Sequence, residues 1–354
     1  MRYVDQAMCM AGDGRFDGRI PHAPGGRFFQ FEAGAMGKLG SAIMAGVPQV
    51  ERMDHNAFRR QQIGCEIYPF VWMQTRRSRA GTFGFCWRSL RHSVMGTVIP
   101  ASGEDTFGAD QDGLIGRIEI DGEATRPKAI CHTDHTTEKG FRTTGEIVYG
   151  KDQVTQCLSV VALEDGETVV FVDLTQAVDP ERVTLNEGLG IYAMNDFPNN
   201  NHVAIAYEGG RNRVRGVGGK ARVIETESPW MRVASCLGIA TDGISLLYED
   251  MSERNTPERW KSVLQDRIFV QPNAEGQTLR DFCVILRMGR GGARRAAKCP
   301  ERLTVEADRV RAFRLADARN KPVTVVVNFG REATTVEIPD AGEITIPAMD
   351  TVVC

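Results

Sequence analysis

Five consecutive residues, Cys131-His132-Thr133-Asp134-His135, form the densest group of chemically versatile side chains in the chain. The protein has only six histidines, and two of them lie within four positions here, so this segment is the first candidate for a site. Imidazole and carboxylate groups are common ligands of divalent metals, so His132, Asp134 and His135 are candidate ligands of one metal ion, zinc or calcium. Two other interpretations stay open: a catalytic or substrate-contacting role for His132, and a solvated loop without a site.

A second candidate group surrounds His92, which follows Arg88 and Arg91 in the segment WRSLRHSVMG. If this segment is a strand, Arg88 and His92 share one face, because alternate residues of a strand point to the same side. An arginine can neutralise a carboxylate while a nearby histidine acts as a base near neutral pH. A solvated outer face of a sheet is the competing interpretation.

Three further residues are candidates because of their local setting. His22 lies between Pro21 and Pro24, in a rigid loop of the kind that can hold a functional side chain still. Tyr192 and Asn195 are spaced to meet where a strand passes into the Asn-rich turn that follows. A tyrosine can transfer protons and an amide can bind a carboxylate, although half-buried packing is the usual role of such a tyrosine.

The Gly- and Arg-rich residues 209–223 carry Arg211, Arg213 and Arg215 at alternate positions. On a strand they would form a cationic stripe on one face, which would suit an acidic glycan. A solvated edge strand, whose charges discourage aggregation, is an equal alternative. The segment lacks the order of residues of a phosphate-binding loop, and it lacks the aromatic residues of a nucleic-acid surface.

Composition excludes several other classes of function. The net charge is −3, which gives no general attraction to nucleic acid, and no apolar run approaches the roughly 20 residues that span a bilayer. No GxSxG motif of a serine hydrolase is present. The first residues do not form a secretory signal, and the nine cysteines contain no CxxC pair, so we expect free thiols and a cytoplasmic location for the chain as given. The location is open if the chain is part of a longer secreted protein.

Strand-like runs dominate the sequence from residue 64 to the C-terminus. They are rich in aromatic and β-branched residues, and Gly, Asp, Asn or Pro separates them at intervals of roughly 8–12 residues. The runs cover residues 65–73, 81–87, 114–122, 145–150, 167–174, 202–210, 243–250, 278–288 and 322–330. This pattern predicts a mainly β protein built around a large antiparallel β-sandwich, with one long polar excursion at residues 124–144.

Four segments are expected along the chain. Residues 1–63 combine a Gly/Pro/Arg-rich loop with two short helices, at residues 35–46 and 55–63. Residues 64–288 form the main sandwich. Residues 289–302 are rich in glycine and arginine and are predicted to be a linker, and residues 303–354 form a small C-terminal β module.

This order of parts resembles the β portion of heparinase-type and hyaluronate-lyase-type polysaccharide lyases, in which an α/α toroid precedes a supersandwich. The segments ETVVFVDLTQA (residues 167–177) and WKSVLQDRIFVQ (residues 260–271) are similar in character to strands of those sandwiches. The chain departs from the family because it lacks most of the toroid. A missing helical domain, or a homo-oligomer in which a second copy completes the cleft, would account for that departure.

The resemblance implies β-elimination on a uronate-containing, acidic polysaccharide or oligosaccharide. Arg88, Arg91 or Asn195 would neutralise the uronate carboxylate, and His92, His132 or Tyr192 would transfer protons. His132, Asp134 and His135 are similar in type to a structural metal cluster of some of these sandwiches. A glycoside hydrolase and a non-catalytic glycan-binding or structural module remain the alternative functions.

Overall fold

The structure of the protein is a computed structural model, and it describes residues 63–69, 72–87, 95–100, 106–108, 118–125, 127–185, 190–196, 202–215, 222–250, 263–271 and 275–354. These residues form a mainly β protein, as the sequence predicts. The two helices predicted before residue 63 lie outside the described residues.

The strands, in chain order, are β1 (Gly64–Tyr68), β2 (Met73–Arg77), β3 (Gly81–Cys86), β4 (Met95–Pro100), β5 (Thr106–Gly108), β6 (Ile118–Ile120), β7 (Glu123–Ala124), β8 (Lys128–Thr136), β9 (Phe141–Tyr149), β10 (Val154–Ala162), β11 (Thr168–Ala177), β12 (Val183–Leu185), β13 (Gly190–Asp196), β14 (His202–Tyr207), β15 (Gly210–Arg215), β16 (Arg222–Glu225), β17 (Trp230–Val233), β18 (Leu237–Thr241), β19 (Leu246–Asp250), β20 (Val263–Val270), β21 (Thr278–Met288), β22 (Glu301–Leu303), β23 (Val310–Ala316), β24 (Pro322–Asn328), β25 (Thr334–Ile338), β26 (Gly342–Ile346) and β27 (Asp350–Val353). A short α-helix, α1 (Gly289–Arg294), and a 3-10 turn at Pro180–Arg182 complete the described elements.

Two large antiparallel sheets face each other. The front sheet has the strand order β1-β2-β3-β4-β5-β13-β20-β19-β16, and the central sheet has the order β15-β14-β17-β18-β21-β11-β10-β9-β8. Aromatic and aliphatic side chains from alternate positions fill the space between them, for example Phe83 and Phe85 of the front sheet and Ile147, Phe171 and Leu286 of the central sheet. This alternation follows from the two-residue period of a strand, and it confirms the predicted sandwich.

The C-terminal residues cover the second face of the central sheet. Strands β22, β23, β24 and β27 form a sheet whose Phe313 and Val325 pack with Val172 and Ile285 of the central sheet. The β25–β26 hairpin closes the far side of this small sheet through a third apolar cluster. Strands β10, β11 and β21 are therefore covered on both faces, which explains why nearly all of their residues are buried.

The prediction of a polar excursion at residues 124–144 was wrong. Most of that segment forms the paired strands β8 and β9, with β8 as the last strand of the central sheet. Its sequence, KAICHTDHT, has polar side chains at consecutive positions, because both of its faces meet polar groups. A strand of this kind lacks the apolar alternation by which strands are recognised in a sequence.

Two boundaries also differ from the sequence prediction. The single strand expected at residues 65–73 is a hairpin of β1 and β2, and Trp72 in its turn has a φ of 51°. The predicted linker at residues 289–302 contains α1, which packs against β18 and β21. Gly238 of β18 allows this contact, since a Cβ atom there would lie 2.9 Å from the carbonyl oxygen of Gly292. In the described residues, no helix combines the length and the apolar composition needed to cross a bilayer.

Candidate functional site

The candidate site lies where the edges of the two large sheets come together. Strand β8 is the edge of the central sheet, β1 is the edge of the front sheet, and the two strands are in contact. Successive residues of β8 point to opposite faces. His132 and Asp134 therefore face the front sheet, whereas Cys131 and His135 face the C-terminal sheet.

His132 and Asp134 form a close pair on the inner face of β8. Nε2 of His132 lies 3.2 Å from Oδ2 of Asp134, and the two side chains are 16% and 26% exposed. The imidazole packs against two indoles of the front sheet region, with ring centroids 4.8 Å away for Trp72 and 5.9 Å away for Trp87. The pair is thus held on one side by aromatic rings and is open to solvent on another.

A chain of hydrogen bonds fixes the carboxylate of this pair. Nε1 of Trp87 donates to Oγ1 of Thr143 at 2.6 Å, and the same hydroxyl donates to Oδ1 of Asp134 at 2.5 Å. Trp87 and Thr143 are almost fully buried, with exposures of 3% and 1%. Because the hydroxyl accepts one bond and donates the other, its hydrogen has a defined direction, and Asp134 is oriented toward His132.

Polar side chains continue along the same inner face and tie the two sheets together. Oγ1 of Thr136 lies within 3.3 Å of Oε1 of Gln74 on β2. Two positions further along β2, the fully buried Arg76 donates from Nη1 to the carbonyl oxygens of Leu163 and Thr168 at 2.6 and 3.0 Å. Burial lowers the pKa of Arg76 to about 10, so the side chain is a cation at neutral pH. These bonds anchor the front sheet beside β8.

His135 does not join the other two proposed metal ligands. Its Nε2 atom lies 2.8 Å from Oδ2 of Asp350 in the C-terminal sheet, on the opposite face of β8 from His132. Within the described ranges, no group of three or more His, Cys, Asp or Glu side chains is arranged to hold a metal ion. The set His132, Asp134 and His135 therefore does not fit a single zinc or calcium ion, and no step of the proposed chemistry uses a metal.

The remaining sequence candidates are not brought to this site by described contacts. His22, Arg88, Arg91 and His92 lie outside the described residues. The backbones of Tyr192 and Asn195 belong to β13, in register with Arg267 and Leu264 of β20. The side chains of β13 lie outside the described part of the chain, so the predicted roles of Tyr192 and Asn195 stay predictions.

Three residues of the site were not identified from the sequence: Trp72, Trp87 and Thr143. None belongs to a motif. Trp72 and Trp87 reach the site through packing between the two large sheets, and Thr143 reaches it through the pairing of the adjacent strands β8 and β9. The glycine at position 145 was the available signal, because an isolated glycine inside a strand pattern often marks a close approach of another group. Here the ring of Trp87 makes that approach.

A second polar cluster lies deep between the large sheets. The hydroxyl of Tyr149 donates to Oε1 of Gln156 at 2.7 Å, and Nε2 of Gln156 donates to the carboxylate of Asp173. Nη1 of Arg280 lies 3.8 Å from Oδ2 of Asp173, and neither side chain is exposed. Burial raises the pKa of Asp173 above its ordinary value. Because solvent does not reach these groups, the cluster positions strands and is no substrate site.

An acidic depression of about 430 Å³ lies where the central sheet meets the C-terminal module, and Asp242, Glu275 and Asp281 contribute carboxylates to it. Arg302 neutralises two of these carboxylates, with contacts of 2.7 Å to Asp242 and 2.8 Å to Asp281. Arg311 also lies 2.9 Å from Asp281. These ion pairs attach the C-terminal module to the sandwich, and this structural role accounts for the cluster of carboxylates.

Comparison with known proteins gives similarities at the level of solved structures. No family model matches the chain, and no curated protein matches it. The GH36 α-galactosidase AgaB from Geobacillus stearothermophilus has a TM-score of 0.40 and 10% identity over 66% of this chain and 42% of its own. The galactosidase domain of the α-galactosidase-sucrose kinase AgaSK has a TM-score of 0.39 and 12% identity over 64% of this chain and 42% of its own.

A chondroitin AC lyase from Streptomyces coelicolor A3 is similar over more of the chain. It has a TM-score of 0.38 and 14% identity, over 82% of this chain and 43% of the lyase. The chain thus spans about two fifths of the length of the solved structures it matches. Similarities of this size carry no conclusion about the activity of the chain, which must come from the geometry of its own residues.

Proposed function

We propose that the protein is a carbohydrate-active enzyme that cleaves a uronate-containing polysaccharide by β-elimination, with His132 as the base. The observation that carries this proposal is the His132–Asp134 pair, held against Trp72 and Trp87 at the open edge of the sandwich. A carboxylate beside an imidazole, with two indoles packed against the imidazole, combines proton transfer with a surface for sugars.

The geometry suits His132 to take up a proton. The Asp134 carboxylate lies 3.2 Å from Nε2, so in the proposed mechanism the neutral ring carries its hydrogen on Nε2 and takes up a proton at Nδ1. When Nδ1 accepts a proton, the imidazolium is stabilised by Asp134 at the same 3.2 Å distance. This arrangement, in which a hydrogen-bonded carboxylate orients the base, is common to enzymes that use histidine as a general base.

β-Elimination needs a proton that is acidic enough for such a base. The C5 hydrogen of a uronate lies next to a carboxylate, and neutralising that carboxylate makes the hydrogen removable. As His132 takes the C5 proton, a C4–C5 double bond forms, the bond from C4 to the glycosidic oxygen breaks, and the leaving oxygen takes a proton from water. Arg88 follows Trp87 directly in the sequence, and it is our choice for the neutralising cation.

The two indoles support a sugar substrate. Trp72 is half-buried and Trp87 is buried, so Trp72 offers the accessible ring surface beside His132. Aromatic faces are large and apolar and are attracted to the polarised C–H groups of other molecules. A sugar ring packed against Trp72 would bring its C–H bonds toward the imidazole.

The test is incubation of the protein with a panel of uronate polymers, followed by ultraviolet absorbance of the unsaturated product. We expect absorbance with at least one polymer, loss of activity in His132→Ala, and a decrease of roughly 10²–10⁴-fold in Asp134→Asn. His135→Gln is the matched control, because it changes a histidine on the same strand whose side chain faces away from the site.

Each other result has a defined meaning. Release of reducing ends without the absorbance would indicate a glycoside hydrolase in place of a lyase. Binding without turnover, unaffected by His132→Ala, would indicate a glycan-binding module. A panel without absorbance, or full activity in His132→Ala, contradicts the proposal.

A further inference from the structure

The far end of the central sheet carries a second surface, distant from His132. Strands β15, β14 and β17 are the first three strands of that sheet, whereas β8 is the ninth. Eight steps of about 4.8 Å between neighbouring strands place the two edges roughly 38 Å apart. The residues discussed below also point to the opposite face of the sheet from His132.

Pairing between the strands aligns arginines on this outer face. Arg211 of β15 lies opposite Ala206 of β14, and Ala206 lies opposite Arg232 of β17. Directly opposite residues of a sheet share a face. The alternate residues, such as Met231 and Val233, are buried in the core between the large sheets, so the arginines must point outward.

The arginines border a shallow groove. Arg211 and Arg213 of β15 form one side and Arg232 of β17 forms the other, and all three are exposed. The strand between them presents the small side chains of Ala204 and Ala206 on the same face. The two sides are about 9.6 Å apart at the level of the backbone, since one strand separates them.

The helix α1 extends the positive surface beyond β17. Gly238 lies opposite Arg232 in the sheet and supports the helix, which also contacts β17. Gly289, Gly292 and Ala293 form the buried side of the helix, and Arg290 and Arg294 are exposed on its other side. In a chain with a net charge of −3, these arginines concentrate positive charge at one place.

Few acidic side chains belong to the described part of this surface. The outward-facing described residues of β14, β15 and β17 include no Asp or Glu, and α1 contains none. Arg211, Arg232, Arg290 and Arg294 make no ion pair with another described residue. The nearest acidic side chain along the hairpin is Glu208, which is exposed in the turn between β14 and β15.

We propose that this groove, defined by Arg211, Arg213, Arg232 and the alanines between them, binds a linear acidic polysaccharide without cutting it. A guanidinium can donate two parallel hydrogen bonds to a carboxylate or sulfate group. Arginines on both sides of a narrow floor match a chain that carries anionic groups along its length. The half-buried Trp230, two positions before Arg232 on the same face, adds one indole against which a sugar ring can pack.

The chemistry favours a polysaccharide over a single-stranded nucleic acid. Nucleic-acid grooves of this type place aromatic rings under successive bases, and the described face offers one indole beside a row of alanines. The choice of a uronate polymer rests on the proposed function. The groove would hold one part of the polymer while another part of the same polymer reaches His132. The experiment must therefore separate binding from cleavage.

The test measures the affinity of the protein for chondroitin sulfate, hyaluronate, alginate and polygalacturonate by affinity electrophoresis at low and at physiological salt. We expect binding that weakens with salt, and a decrease of roughly tenfold or more in the double variant Arg211→Ala/Arg232→Ala. The matched control is Arg319→Ala/Lys321→Ala, which removes two exposed cations from the C-terminal module.

The outcomes distinguish this surface from the proposed function. Weaker polymer binding with unchanged cleavage of a short oligosaccharide supports a separate binding groove. Polymer binding that depends on Arg211 and Arg232, in a protein that never yields the unsaturated product, supports the groove and contradicts the lyase. Unchanged affinity in the double variant contradicts the groove, as does tighter binding of a 20-nucleotide single strand than of any polymer.

Discussion

Gly145 lies directly opposite His132 in the β8–β9 ladder, and a Cβ atom at position 145 would lie 2.9 Å from Cβ of His132. The same atom would lie 2.9 Å from Cη2 of Trp87 and 2.5 Å from the carbonyl oxygen of Cys131. The absence of a side chain at Gly145 thus lets the indole and the imidazole come together. The candidate site depends on this glycine although the glycine performs no chemistry.

We therefore expect Gly145→Ala to destabilise the protein and to disturb the site. Forcing a methyl group into a filled space costs typically 1–3 kcal/mol. Urea denaturation measures the loss, and Gly84→Ala is the control, because the atoms nearest to a Cβ there are at an ordinary 3.4 Å. Equal stability of the Gly145→Ala and Gly84→Ala proteins would show that Trp87 does not pack against Gly145.

For both stability and cleavage, we expect the hydroxyl group of Thr143 to be more important than the volume of its side chain. Thr143→Val keeps the shape but leaves the buried Nε1 of Trp87 without its acceptor, which costs about 1–3 kcal/mol. Thr143→Ser keeps the hydroxyl and should retain most of the stability, and it should also retain cleavage because Asp134 keeps its hydrogen bond. A Val variant as stable and as active as the Ser variant would contradict the hydrogen-bonded chain from Trp87 to Asp134.

The fold was readable from the sequence where strands have one apolar face. Segments such as GTFGFC, which forms β3, alternate or are fully apolar, and they were identified with nearly correct bounds. Strand β8 was missed because its residues are polar on both sides. On its inner face, Asp134 binds Thr143. On its outer face, His135 contacts Asp350, which is more than two hundred positions away along the chain.

The candidate site was only half readable for the same reason. The spacing of His132 and Asp134 indicates chemistry, but the two-residue period of a strand places His135 on the opposite face, and the polar sequence of β8 does not reveal that period. Trp72 and Trp87 contribute through sheet packing between distant segments. Such packing depends on which strands become neighbours, and local sequence does not specify it.

The sandwich and the C-terminal module are expected to unfold together. Val172 of β11 and Phe313 of β23 belong to one buried cluster, so each side of the interface loses its core if the other unfolds. Val172→Ala and Phe313→Ala should lower the midpoint temperature of the same single transition, with losses in the free energy of unfolding of about 1–2 and 3–5 kcal/mol. Calorimetry checks this. Two separate transitions, with Phe313→Ala shifting only one of them, would show that the module is an independent domain.

Alkaline pH should weaken the fold through its buried thiols. Burial raises the pKa of Cys157 to about 12, and burial likewise raises the pKa of Cys283. An unfolded cysteine has a pKa of about 8.5, so above that pH the unfolded chain releases a proton that the folded chain still holds. The contribution of Cys157 to stability is thus complete below pH ~8.5 and decreases as the pH rises toward the folded-state value, by about 1.4 kcal/mol per pH unit.

Chemical denaturation at several pH values between 8 and 11 tests this expectation. Cys157→Ala should be less stable than the parent protein at pH 8, because it leaves a cavity, but its stability should fall less steeply with pH. Val161→Ala is the matched control, since it removes apolar volume from the same cluster and carries no ionisable group. It should keep the steep decline of the parent protein. Parallel declines for all three proteins would mean that the Cys157 thiol titrates at the same pH in the folded and unfolded chains, despite having no exposed surface in the structure.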